Sequence, residues 1–514
     1  MDWFDDWALT LAVFVPLVGM ALVLLIPRVH ETAIKATALG TALVTGAVGV
    51  GILTRFDYDA SGKLQFQVNK PWIPLIHSRY HVGIDGISLP LLILSMLMVI
   101  LCMVYSWGHF PEPHNPKAFL ALILLLTVGM NGTFVAQDLI LFFIFFELVL
   151  LPMFFMIGVW GGPNREYASI KFFLFTLFGS ALMLVGFLAI FFTSKVETFD
   201  MVVLSKLGAA GITQGMQVLI FGGLFLGFAI KVPMFPFHTW LPDAHTEAPT
   251  VGSVLLAAIM LKLGTYGFIR IALPILPKGA EEWAPWIGLL AVIGIIYGAL
   301  CCLAQTDMKR LIAFSSVAHM GFVMLGIATL TDFGLNAAIF GMVAHGFITG
   351  LLFFVAGSIQ ERYETREMSR LGGLLTQAPK LGWVLGFAAM ASLGLPGLAG
   401  FWGEFGSVLS AYSPAKLAQG LFDTNNLTTF RTYMVIAAIG TVLAAGYLLS
   451  MLQRVAFGKV KPEFEGAHIH DVHVLEWVAW APLILLTVVL GFYPDLLFSI
   501  TDGAVSNVTK AFGG

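Results

Sequence analysis

Six ionisable side chains in this sequence lie in the middle of long apolar runs: Glu147, Lys231, Lys262, His319, His345 and Glu404. Glu147 is preceded by Leu-Phe-Phe-Ile-Phe-Phe and followed by Leu-Val-Leu-Leu, and Lys262 sits within Ala-Ile-Met-Leu-Lys-Leu-Gly-Thr-Tyr. A charge in hydrocarbon costs several kcal/mol, so such residues are functional candidates by default. Glu147 cannot stay ionised there without a partner, and Lys231 is the obvious one, giving a buried ion pair. A purely structural clasp is the alternative. A desolvated lysine such as Lys262 can exchange protons, whereas snorkelling to an interface would need a position nearer a helix end. His319 and His345 suit a proton relay because imidazole titrates near neutrality, although each alone could be a satisfied core residue. Taken together, the six read as a line of proton-handling groups.

The elements that must carry them are transmembrane helices. Of 514 residues, 58% are hydrophobic and only 11% charged, and the mean hydropathy is +0.89. Soluble domains carry about 25% charged residues, so lipid rather than water must face this surface. Apolar windows fall at roughly 7–28, 33–54, 84–107, 118–136, 139–160, 168–193, 217–241, 250–273, 285–304, 311–330, 335–358, 382–411, 431–456 and 474–497. The expectation is an all-α integral membrane protein of about fourteen spans forming a single polytopic domain, 1–514. The longest polar breaks, near 55–83 and 359–381, are too short for a soluble domain. A net charge of -3 gives no reason to expect nucleic acid.

Two windows carry helix breakers beside an ionisable group. Residues 228–242 contain Pro233, Pro236 and Pro242 next to Lys231, and 393–405 contain Leu-Gly-Leu-Pro-Gly next to Glu404. Proline removes a backbone donor and clashes with the preceding turn, so both helices should unwind partway across. Irregular backbone survives at that depth only inside protein or against a water-filled cavity. Each break lies in the fourth helix of a five-helix group, 118–273 and 285–456. That pattern predicts two repeats, inverted because five is odd.

Loop charges set the orientation. Arg28, Lys35, Lys309, Arg310, Arg362, Arg366, Arg370, Arg454, Lys459 and Lys461 fall on one side, which the positive-inside rule makes the inner one. Both termini are then expected outside. The N-terminus lacks the basic region of a signal peptide, so the first apolar run is expected to be retained. Cys102, Cys301 and Cys302 lie in apolar segments with no metal-ligand spacing.

Other polar groups have plainer readings. His238, Asp243 and His245 form either a polar vestibule or, for Asp243, a helix cap. Glu361, Arg362, Glu364, Arg366, Glu367 and Arg370 read as a solvated inner loop. His468, His470, Asp471 and His473 could ligate a metal, but a short exposed loop is the simpler reading, and no metal site is expected.

The stretch 231–250, Lys-Val-Pro-Met-Phe-Pro-Phe-His-Thr-Trp-Leu-Pro-Asp-Ala-His-Thr-Glu-Ala-Pro-Thr, resembles the antiporter-like subunits of respiratory complex I and their relatives in multisubunit sodium/proton antiporters. So do Gly-Ile-Asp-Gly-Ile-Ser-Leu (83–89), Leu-Lys-Leu-Gly-Thr-Tyr-Gly (261–267), Lys-Arg-Leu-Ile-Ala-Phe-Ser-Ser-Val-Ala-His-Met-Gly (309–321) and Gly-Phe-Trp-Gly-Glu-Phe (400–405). The resemblance covers nearly the whole chain. It implies that Glu147 and Lys231 are the coupling pair, Lys262 the central proton carrier, Glu404 the outlet, and His319 and His345 the connecting groups. Glutamate rather than lysine at 404 points to one branch of the family and away from a cation exchanger. The chain is expected to stop soon after its fourteenth helix, without the long lateral helix of the largest sibling.

The resemblance further implies a proton-translocating membrane subunit of an NADH:quinone oxidoreductase, surrounded by neighbouring antiporter-like subunits, a peripheral redox arm and lipid. FMN, iron–sulfur clusters and quinone are then expected in other subunits, with no cofactor in this chain. The chain's length favours a bacterial plasma (inner) membrane over a mitochondrial one. A rival from another class, a membrane cytochrome, needs histidine pairs as haem ligands, and the histidines within the spans are isolated.

Overall fold

The computed structural model describes residues 3–207, 209–416, 421 and 426–513. Thirteen helices among them are long and apolar enough to cross a bilayer. A fourteenth crossing is built from two halves, Pro379–Ser392 and Ala399–Ser410. Three helices, Thr250–Ile275, Met308–Ala328 and Asp332–Tyr363, are covered on nearly every side by the others. Outer helices such as Trp3–Leu25, Arg165–Thr193 and Leu427–Val455 leave most of their residues only partly covered. The enclosed helices carry Lys262, His319 and His345, so other protein separates these groups from lipid.

Both expected breaks are present. The first helix runs Gln214–Lys231, and the chain resumes as Trp240–Glu247. The freed carbonyls find partners: Ile230 O accepts from Trp240 Nε1 at 2.9 Å, and Ala229 O accepts from the Met234 N–H at 2.9 Å. The second break spans Leu393–Leu398, with Gly394 and Gly397 at φ +78° and +94°, a left-handed conformation that glycine adopts without a Cβ penalty. Just beyond it, Gly403 lies so close to Gly341 that a Cβ there would meet the Gly341 Cα at 2.4 Å. That contact draws the half-helix bearing Glu404 against Asp332–Tyr363.

Three polar stretches are more structured than expected. Within 55–83, strand β1 (Gln65–Ile73) pairs antiparallel with β2 (Ser78–Ile84). The hairpin is pinned by a buried contact from His81 Nδ1 to Asp200 Oδ2 at 2.8 Å. Burial pulls the Asp200 carboxyl upward, but His81 and the N–H groups of Val203 and Val202 outweigh it and hold it below the ordinary aspartate range. A carboxyl depressed in this way adds stability above the ordinary aspartate pKa and loses it as pH falls through the depressed value. Second, the short tail beyond the last spanning helix is itself an amphipathic helix, Asp495–Thr509. It is tied back by Asn336 Nδ2 donating to Asp502 at 2.6 Å and by Asn507 Nδ2 donating to Gly62 O at 2.8 Å.

The third correction concerns 361–370, expected to be a solvated loop. The helix extends to Tyr363, and Arg362 grips Glu476 through both carboxylate oxygens, at 2.9 and 2.7 Å. The Glu476 side chain is fully buried. Arg366 bridges Asp307 at 2.5 Å and Glu247 at 3.6 Å. Window hydropathy missed this because the pairing groups lie far apart in sequence and neutralise one another only in the fold.

Removing one partner of a buried pair leaves an uncompensated charge. Arg362→Met is therefore expected to destabilise the fold by about 3–5 kcal/mol. The measurement is the thermal unfolding midpoint in detergent, and Arg362→Met/Glu476→Met should recover much of the loss.

Candidate proton-conducting site

The site begins on Thr250–Ile275, which is α-helical except for π-type turns at Leu256–Met260 and Phe268–Ala272. At the first of these the Leu261 N–H bonds back to Leu256 O, five residues away. Ala257 O thereby loses its usual α-helical partner and instead accepts from Lys262 Nζ at 2.6 Å. Lys262 is fully buried, so it does not snorkel. Its ammonium also reaches His345 Nδ1 at 2.7 Å.

The line continues from there. The His345 and His319 rings lie 6.0 Å apart, nearly edge to face. His319 Nδ1 meets Glu404 Oε1 at 2.5 Å. Ser392 Oγ at 3.1 Å and Tyr447 OH at 3.2 Å hold the other His319 nitrogen. His345 Nε2 is buried with no partner among the described residues. Beside it lies a cavity of about 30 Å³ bounded by His319, His345, Ser392 and Glu404. That is room for a water molecule, with polar partners to hold it. Imidazole can take a proton at one nitrogen while releasing one at the other, so the row is a chemically competent wire.

Four of the six predicted residues are thus brought together. Glu147 and Lys231 stand apart from them and from each other. No contact within 4.0 Å joins the two among the described residues, and the Lys231 ammonium lies 4.9 Å from the centre of the Phe146 ring. The polar neighbours of Glu147 are Ser180 and, at longer range, Lys231. The expected pair exists as an electrostatic neighbourhood rather than a contact, because Phe146 takes the place beside the ammonium. Glu147 sits just before the joint at Val149 between Leu139–Leu148 and Leu150–Trp160, and it is only partly buried.

The sequence reading missed several supporting residues. Asp243 is an ion-pair centre rather than a cap, with Lys171 at 2.7 Å and Arg310 at 3.5 Å. Lys309, taken for a loop residue, is buried and donates to Ala248 O. His245 is fully buried against Phe353, with both ring nitrogens unpartnered among the described residues, and lies within electrostatic reach of Lys309 and Lys262. A polar cavity of about 470 Å³ opens beside these groups, lined in part by Glu247, Lys309, Gln360, Glu361 and Arg366. Ser392 and Tyr447 carried no signal in sequence, since both are ordinary in apolar helices. In the 468–473 loop, Asp471 accepts from the N–H groups of Lys380 and Leu381, each at 3.0 Å.

Enclosed charges on interrupted helices define a polytopic membrane protein of the ion-translocating, antiporter-like class. A family model for the membrane part of NADH:quinone oxidoreductases and Mrp antiporters matches residues 136–423, and a model for the amino terminus of NADH-ubiquinone oxidoreductase chain 4 matches 64–133. The chain belongs to this NADH:quinone oxidoreductase/Mrp antiporter family. NADH-quinone oxidoreductase subunit M of Rickettsia prowazekii is 38% identical over 507 residues, covering 98% of this chain and 99% of that one. A chain of respiratory complex I from Thermus thermophilus superposes with a TM-score of 0.85 at 29% identity, covering 98% of this chain and 100% of that one. A chain of the Mrp complex from a Dietzia species shares the fold, with a TM-score of 0.84 at 19% identity and full coverage of both chains.

His319 bonds Glu404 directly and flanks the cavity beside His345. His319→Ala should therefore interrupt proton movement while leaving the helices packed. The expected result is a rate of proton uptake into proteoliposomes lowered by about tenfold or more, with the helical circular-dichroism signal retained.

Proposed function

We propose that this chain is subunit M of a bacterial NADH:quinone oxidoreductase, translocating protons while electrons pass from NADH to quinone in other subunits. The relatives named subunit M, matched over nearly their full length, support the placement in that complex. The observation that carries the mechanism is the enclosed row Lys262–His345–His319–Glu404. In this reading FMN, iron–sulfur clusters and quinone belong to the other subunits, and neighbouring antiporter-like subunits flank this chain. The groups 118–273 and 285–456 act as inverted repeats, each contributing one broken helix. Both termini lie on the outer side, which puts the 470 Å³ cavity on the inner side as the inlet.

A proton enters by that cavity, passes Lys309 and His245, and loads Lys262. From Lys262 it moves to His345 Nδ1, through the water-sized gap to His319, and on to Glu404 at the second break. Glu147 and Lys231 set the timing. Because Lys231 is not locked to Glu147, its field is free to act on Lys262, where protein shields charges far less than water does. Approach of Lys231 to Glu147 would remove that field and let Lys262 take up a proton. The partial exposure of Glu147 lets a neighbouring subunit sense or supply charge there.

Glu147→Gln and Lys231→Ala should sharply reduce NADH-driven acidification of vesicles by the assembled complex, and normal pumping with either would remove the pair from the mechanism. Lys262→Arg is a sharper test, because guanidinium keeps the charge but does not deprotonate in proteins. It should abolish pumping as fully as Lys262→Ala. Glu404→Gln should impair pumping too, and unimpaired pumping would displace the outlet from Glu404. Sodium/proton exchange without NADH would overturn the redox-driven reading.

A further inference from the structure

On the face opposite the N-terminus, a cleft of about 760 Å³ opens between the ends of four helices. Trp3–Leu25 and Glu31–Arg55 form one wall, and Pro116–Val135 and Leu150–Trp160 the other. Its mouth carries Arg28, Glu31, His114 and Lys117. Glu31 is already neutralised by Lys35 at 2.7 Å and His114 at 3.0 Å. Lys35 is occupied a second time by Trp107 O at 3.2 Å. Arg28 and Lys117 have no such partner among the described residues, so the mouth presents two uncompensated positive charges at the level where the helices leave the bilayer.

Below the mouth the walls are apolar. Leu24, Phe155 and Val159 line them and are 47%, 42% and 37% exposed. At the helical rise Leu125, also in the wall, lies about 13 Å from Pro116 at the helix start. The cleft therefore has a cationic rim and an apolar depth reaching well into the hydrocarbon. A soluble anion would satisfy the rim and leave the walls bare. A neutral lipid would fill the walls and leave the two cations unpaired.

We infer that this cleft is a binding site for one anionic phospholipid, its phosphate held between Arg28 and Lys117 and an acyl chain laid along Leu24, Leu125, Phe155 and Val159. Basic pockets between transmembrane helices recognise anionic headgroups in this way. None of the six proton-handling residues lines the cleft, so it is a lipid subsite separate from the conducting row.

Photo-crosslinking in nanodiscs tests this on the full-length protein in the assembly with which it co-purifies. The probes are phosphatidylglycerol and phosphatidylcholine carrying the same diazirine-labelled acyl chain. Phosphatidylglycerol should label peptides covering 20–31 and 117–125 about thirtyfold more strongly than phosphatidylcholine, as two basic groups imply. Arg28→Gln/Lys117→Gln should bring the ratio to about one, while peptides elsewhere keep theirs. Equal labelling of the wild type by both lipids would overturn the proposal, as would a ratio unchanged in the variant. Absence of label from these peptides would also overturn it, since a protein neighbour would then cover the cleft. The wild-type comparison stands even if the variant fails to assemble.

Discussion

A charge or an unpaired backbone group in hydrocarbon is so unfavourable that this chain can keep its ionisable residues only by walling them off with protein. Everything else in the architecture answers that constraint. Thr250–Ile275, Met308–Ala328 and Asp332–Tyr363 are the covered helices, and they carry Lys262, His319 and His345. The outer helices supply the greasy surface that lipid requires. The irregular backbone at the first break follows the same rule, with freed carbonyls taken by Trp240 and Met234.

Local distortions place the functional atoms. A π-type turn frees Ala257 O, which anchors Lys262 Nζ at the distance where it also reaches His345. The close approach of Gly403 to Gly341 seats Glu404 against His319. The row is thus built from departures from regular helix, each small and each compensated by a specific contact. A larger residue at 403 would push away the half-helix that carries Glu404.

The two halves of the molecule are arranged differently. In the second, histidine and glutamate are in direct contact. In the first, Lys231 is spaced from Glu147 with Phe146 beside its ammonium. A locked pair would present almost no net field to its surroundings, whereas a separated pair has one to switch off. In the proposed mechanism that difference makes the Glu147–Lys231 neighbourhood a control element and the row from Lys262 to Glu404 the conductor.

The sequence by itself determined that Lys231, Lys262, His319 and His345 are buried and where two helices fail. An apolar run around a charge, and prolines or glycines within such a run, have local causes that no tertiary packing removes. It also determined the family, through long motifs around those same residues. Only the tertiary structure decided which groups touch. Lys262 meets His345 across 83 positions and His319 meets Glu404 across 85, while Glu147 and Lys231 do not meet at all. The Arg362–Glu476 clasp, the His81–Asp200 pin and the terminal helix on Asn336 were likewise invisible. The physical reason is that hydropathy reads depth along one axis. Contact depends on how each helix is rotated, bent and drawn against its neighbours, and small residues and broken turns far away in the sequence set those terms.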